Sequence, residues 1–80
     1  MSPYRPEVLD ELARHGICPR PTTPPRLVRS YLNDLYRYEI RALRARLLAD
    51  EFPKGEYSAR VAALKSTYPL LAIPIQFWMR

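Results

Sequence analysis

The sequence predicts an all-α protein: a short N-terminal helix, a proline-rich strap, a long helix paired antiparallel with a third, and an extended apolar tail. Three observations lead there. Apolar residues recur at helical spacing over two long stretches. Prolines and a glycine punctuate the segments where helices should start and stop. No stretch alternates apolar and polar residues as a half-buried strand would. A chain of 80 residues is enough for one small helical domain. A domain of this size buries only about 60% of its unfolded surface, so burial against another protein would strengthen it.

The first helix is expected over about residues 6–15, in the stretch RPEVLDELARHGI. Pro6 suits the first helical position, and Glu7, Asp10 and Glu11 favour the positive end of the helix dipole. Val8, Leu9 and Leu12 make one short apolar stripe. Gly16 suits the left-handed cap, with Ile17 folding back on the last turn. The strap, residues 18–25, holds prolines at 19, 21, 24 and 25 and is expected to be extended, polyproline-like chain.

The long helix is expected over residues 24–50, capped by Thr23, with Pro24 at its first position, and ending before Pro53 and Gly55. On a wheel of about 100° per residue, Val28, Leu32, Leu35, Tyr36, Ile40, Leu43 and Leu47 share one broad sector, flanked by Tyr31 and Ala42. Arg37, Arg41 and Arg44 gather opposite. Glu39 falls inside the apolar sector, roughly 20° from Val28, and Arg46 lies on the same side. A buried carboxylate needs a donor, so Glu39 and Arg46 are read as buried polar residues. Arg46, Arg29, His15 or a tyrosine hydroxyl from another helix is the expected donor to Glu39.

The third helix is expected over residues 56–68, with Tyr57, Val61, Leu64 and Tyr68 on one stripe and Pro69 as its stop. The short link between helices implies antiparallel packing. The tail, residues 69–80, is apolar and aromatic, and is expected either to fold back over the hairpin or to dock into a partner. Phe77, Trp78 and Met79 are the kind of residues that anchor interfaces.

The net charge of +5 and pI near 9.8 attract acidic proteins, nucleic acid or anionic membrane. A single cysteine, Cys18, excludes an internal disulfide. The first twenty residues carry three carboxylates and no apolar signal core. The longest apolar run is too short to span a bilayer. A soluble intracellular protein is therefore expected, cytoplasmic or in an organelle matrix.

Catalytic chemistry finds no support. His15 and Cys18 lie three residues apart, but the cap residues between them and the lack of further ligands argue against a nucleophilic or metal site. There is no glycine-rich phosphate loop and no zinc spacing. The sequence predicts no enzyme, no cofactor and no metal site. It predicts a binding module, with the arginine stripe and the tail as contact surfaces. The partner is a larger protein or enzyme complex that offers an acidic surface. A small nucleic-acid-binding or regulatory protein using the same arginines is the alternative, and a self-associating helical hairpin is a third reading.

The stretch Leu35-Tyr36-Arg37-Tyr38-Glu39-Ile40-Arg41 resembles the L-Y-R-x-x-L-R signature of the LYR-motif family. Members of that family are small, basic, three-helix assembly factors or accessory subunits of respiratory and iron–sulfur enzymes, and commonly bind an acyl carrier protein. In the family the signature opens the first helix, whereas here it lies midway along the second. The resemblance implies an accessory or assembly role and assigns Arg37 and Arg41 to an acidic carrier-protein surface.

Overall fold

The computed structural model describes residues 2–80. Helix accounts for 67% of it and no strand forms among the described residues, so the chain is all-α. Three α-helices carry the fold: α1 (Pro6–Arg14), α2 (Pro25–Leu48) and α3 (Tyr57–Ser66). Short 3₁₀ turns occupy Lys54–Glu56, Pro69–Ala72 and Ile75–Phe77.

α1 begins at Pro6 as expected and ends in a Schellman motif. Gly16 takes φ +74°, its N–H donates to the Ala13 carbonyl, and the Ile17 N–H donates to the Leu12 carbonyl at 2.9 Å. Val8 and Leu12 are its buried residues.

α2 starts one residue later than expected, because the residue before a proline is driven to extended backbone. Pro24 precedes Pro25 and sits at φ −63°, ψ 132°, leaving Pro25 to open the helix. Thr23 is not the cap. Its Oγ1 accepts the Arg20 N–H at 2.9 Å, closing a turn inside the strap, and its carbonyl accepts the Tyr4 hydroxyl at 2.6 Å.

At its far end α2 stops at Leu48, short of residue 50, in a second Schellman motif. Here Asp50, at φ +58°, occupies the left-handed position that Gly16 fills after α1. Gly55, the residue read as part of the stop, lies beyond the cap. Asp50 pays for both a Cβ in the left-handed region and a carboxylate at the negative end of the dipole. Asp50→Gly is therefore expected to stabilise the protein by about 1 kcal/mol, raising the melting temperature by roughly 4–8 °C, as a calorimetric scan would register.

α3 runs antiparallel to α2: Tyr68 beyond its end meets Tyr36 and Glu39, while Arg60 near its start meets Phe52. It is shorter than residues 56–68. Thr67 Oγ1 and Ser66 Oγ turn back onto the Leu64 and Ala63 carbonyls, and Pro69 pushes Tyr68 out of the helical region to φ −122°, ψ 55°.

The tail folds back over its own domain. The core cluster joins Tyr4, Val8, Leu12, Val28, Leu32, Tyr68, Leu70 and Trp78, from the N-terminal segment, α1, the first part of α2 and the segment after α3. Arg29 on α2 holds the tail in place, with Nη1 and Nη2 donating to the Ile73 and Leu71 carbonyls at 2.8 and 2.7 Å. The Trp78 indole donates to the same Ile73 carbonyl at 3.1 Å. The chain's two ends then pair: the Arg5 N–H donates to the Trp78 carbonyl, the Arg80 N–H to the Pro3 carbonyl, and Tyr4 and Met79 form an antiparallel bridge.

The molecule is long and narrow, 48 × 17 × 16 Å. The core occupies the end where α1, the start of α2 and the tail meet. The distal half is a two-helix hairpin, closed by buried Phe52 with the Arg60 and Arg46 guanidiniums 4.2 and 5.7 Å from its ring centre. Among the described residues no helix is long and apolar enough to cross a membrane.

Candidate protein-binding face

The lopsided shape corrects two of the site readings. Glu39 and Arg46 are both exposed, and no polar or charged residue is buried among the described residues. The wheel turns them to the same side as Val28, but α1 and the tail pack only near Val28 and Leu32, and α3, which alone accompanies the rest of α2, leaves both exposed. The two do not pair with each other. Arg46 meets Glu51 at 3.3 Å. Glu39 receives the Tyr68 hydroxyl, so of the donors considered for it the tyrosine from another element is the one that binds.

His15 joins this cluster from the other side. Its ring stacks on Tyr68 with centres 4.3 Å apart, and its Nε2 donates to the Thr67 carbonyl at 2.8 Å. His15 is thus engaged in docking the end of α1 onto the end of α3. Cys18 is exposed, and among the described residues no three His, Cys, Asp or Glu side chains gather as a metal would need.

Burial, reinforced by the hydrogen bond and charge of Glu39, pushes the Tyr68 hydroxyl well above its ordinary value of 10.0. Burial alone raises Tyr4 in the same direction. A folded-state pKa raised above the unfolded one leaves stability fully present below pH 10 and removes it as the unfolded chain ionises above that. Urea midpoints are expected to stay flat from pH 7 to about 9.5 and to fall above pH 10. The fall should be shallower in Tyr68→Phe, with Tyr4 supplying the remainder.

Trp78 is also corrected. It has no exposed surface, being packed at the centre of the core, so it cannot touch a partner in the folded protein. Met79 is half-buried against the same core. Phe77 alone of the three aromatic-tail candidates stands out, 54% exposed, beside Ile73 and over the Val8 side of α1.

Arg37, Arg41 and Arg44 are exposed along the middle of α2. The arginines elsewhere are mostly engaged: Arg5 and Arg80 on main-chain carbonyls of the opposite end, Arg29 on the tail, and Arg14, Arg46 and Arg60 on nearby glutamates. Among the described residues Arg37, Arg41 and Arg44 have no hydrogen-bonded or ionic partner.

The wheel reading missed a second line of apolar residues on α2's outer surface. Leu27, Tyr31, Tyr38 and Leu48 are 63%, 56%, 71% and 75% exposed. The signal was present in the spacing, since positions 27, 31, 34, 38, 41, 45 and 48 advance by four and three in turn. It was obscured because Val28 and its companions make the stronger sector, and Asp34 and Arg41 interrupt the weaker one.

The arrangement defines an all-α protein with a charged and aromatic helix face turned to solvent. No protein-family model matches the chain, and neither a curated protein nor a solved structure matches it.

Proposed function

We propose that the protein is a non-catalytic binding module, an accessory subunit or assembly factor that grips a larger protein through the outer surface of α2. The observation that carries this reading is the stripe of Arg37, Arg41 and Arg44, exposed and unpaired among the described residues in a chain that commits most of its other arginines to its own fold. Guanidiniums in a row with exposed Tyr38 beside them suit an acidic protein surface, since arginine and tyrosine both contribute strongly at interfaces. The likeness of residues 35–41 to the LYR signature points to the same partner chemistry, an acidic carrier protein. Phe77 offers a smaller apolar contact at the opposite end.

A purified acyl carrier protein is the probe of choice, titrated calorimetrically. Reversing charge in Arg37→Glu/Arg44→Glu is expected to weaken binding by at least about tenfold while leaving helical circular dichroism unchanged. Binding unaltered by the reversal would end the assignment of these arginines. The second reading, nucleic-acid binding, draws on the two exposed tyrosines beside the arginines, which suit base stacking. It predicts oligonucleotide affinity that falls steeply with salt, at close to one log unit per log unit for each phosphate contacted.

A further inference from the structure

The line at 27, 31, 34, 38, 41, 45 and 48 has the alternating spacing of a left-handed helix–helix seam, and at 1.5 Å per residue it runs about 31 Å. Nothing in the described chain covers it: Leu27, Tyr31, Tyr38 and Leu48 are the most exposed large apolar residues of α2.

The order of residue types along this seam selects an occupant. Bulky Leu27 and Tyr31 lie at its beginning, small Ala45 and bulky Leu48 at its end, Tyr38 at its middle, and Asp34 and Arg41 almost equally spaced on either side of the middle. Laid antiparallel on itself about Tyr38, the seam sets Leu27 against Leu48 and Ala49, Tyr31 against Ala45, and Asp34 against Arg41. Laid parallel, it sets Asp34 on Asp34, Arg41 on Arg41 and bulk against bulk. Only the antiparallel arrangement is complementary in charge, and it alone faces bulky Tyr31 with small Ala45. Self-complementarity of this kind is what a two-fold interface requires. The strap adds a receptor for it: Ile17, Pro19, Thr23, Leu27 and Tyr31 line an open groove beside the start of α2, where the other copy's Leu48 arrives.

We propose that α2's outer face is a homodimer seam, pairing antiparallel with the same face of a second copy about a two-fold axis at Tyr38. Two Asp34–Arg41 ion pairs flank the axis. Arg41 is thereby committed to the dimer, while Arg37 and Arg44 lie to the side of the seam and stay available. The seam takes Tyr38 and Arg41 out of the surface proposed for an acidic partner and leaves it Arg37 and Arg44, and it is tested on the protein alone, without that partner.

The test is sedimentation equilibrium of the purified chain and of two charge-reversed variants, Asp34→Arg and Arg41→Asp. The wild type is expected to sediment at twice its 9.4 kDa chain mass at micromolar concentration. Each variant alone places like charges together twice and should dissociate at least about tenfold more readily. Mixed one to one, the variants regain both attractive pairs, and the dimer should return. Both positions are exposed, and circular dichroism of each variant verifies that its helices are kept. A wild type that stays at 9.4 kDa to near-millimolar concentration overturns the proposal. So do single variants that dimerise like the wild type, or a mixture that remains monomeric.

Discussion

Trp78→Ala is expected to destabilise the protein by about 3–5 kcal/mol and to lower its urea midpoint steeply. Trp78 is fully buried at the junction of the tail, α1 and α2, and its indole N–H is satisfied by the Ile73 carbonyl. Truncating a buried tryptophan costs about 3–5 kcal/mol, through lost transfer energy and the cavity left behind. A domain of this length has a total stability of roughly 4–12 kcal/mol, so the loss takes from about a quarter of it to all of it. Urea unfolding followed by far-ultraviolet circular dichroism measures it. Trp78→Phe, which keeps an aromatic ring, should recover a good part of the midpoint. A midpoint for Trp78→Ala equal to the wild type would mean that the tail is not part of the core.

Arg29→Met is expected to cost about 2–3 kcal/mol. The substitution keeps an apolar stem on α2 but strips two charge-assisted hydrogen bonds from the Leu71 and Ile73 carbonyls. Arg29 also lies 6.0 Å from the Trp78 ring centre, and both side chains donate to Ile73. Their effects should therefore not add. The double variant is expected to fall short of the summed losses by about 1 kcal/mol or more, the signature of residues sharing one partner. Additive losses would mean that Arg29 and Trp78 hold the tail independently.

These two residues mark where the sequence could and could not be read. The helices were legible because their signals are local. Pro6 and Gly16 bracket α1, and Pro69 ends the third helical segment by constraining the residue before it. The same kind of rule, applied to both prolines of Pro24-Pro25, moves the start of α2 and takes the capping role from Thr23. The stop of α2 was harder, since the left-handed position falls to Asp50 although Gly55 stands nearby.

Beyond local signals the sequence says which way a residue faces on its own helix, but not whether anything lies there. Glu39 and Arg46 face the inner side of α2, yet beyond the reach of α1 and the tail only α3 lies there, and it leaves both exposed. Trp78 reads equally as an anchor for a partner or as a core residue, and the choice depends on the fold-back that Arg29 fixes from some fifty residues away. Tyr31 and Tyr38 lay outside the main apolar sector, so their exposure emerged only once that sector was seen to be filled by Val28, Leu32 and their neighbours.

The pairing of Tyr4 with Met79 makes the described chain a noncovalent ring. Chain ends ordinarily fray on their own, at little cost to the rest. Here Arg5 is tied to the Trp78 and Met79 carbonyls and Arg80 to the Pro3 and Tyr4 carbonyls, so loosening the clasp pulls on the segment that carries the buried indole. The extremities and the centre are therefore expected to open in a single cooperative step, which amide hydrogen exchange would show as matching protection at Arg5, Trp78 and Arg80.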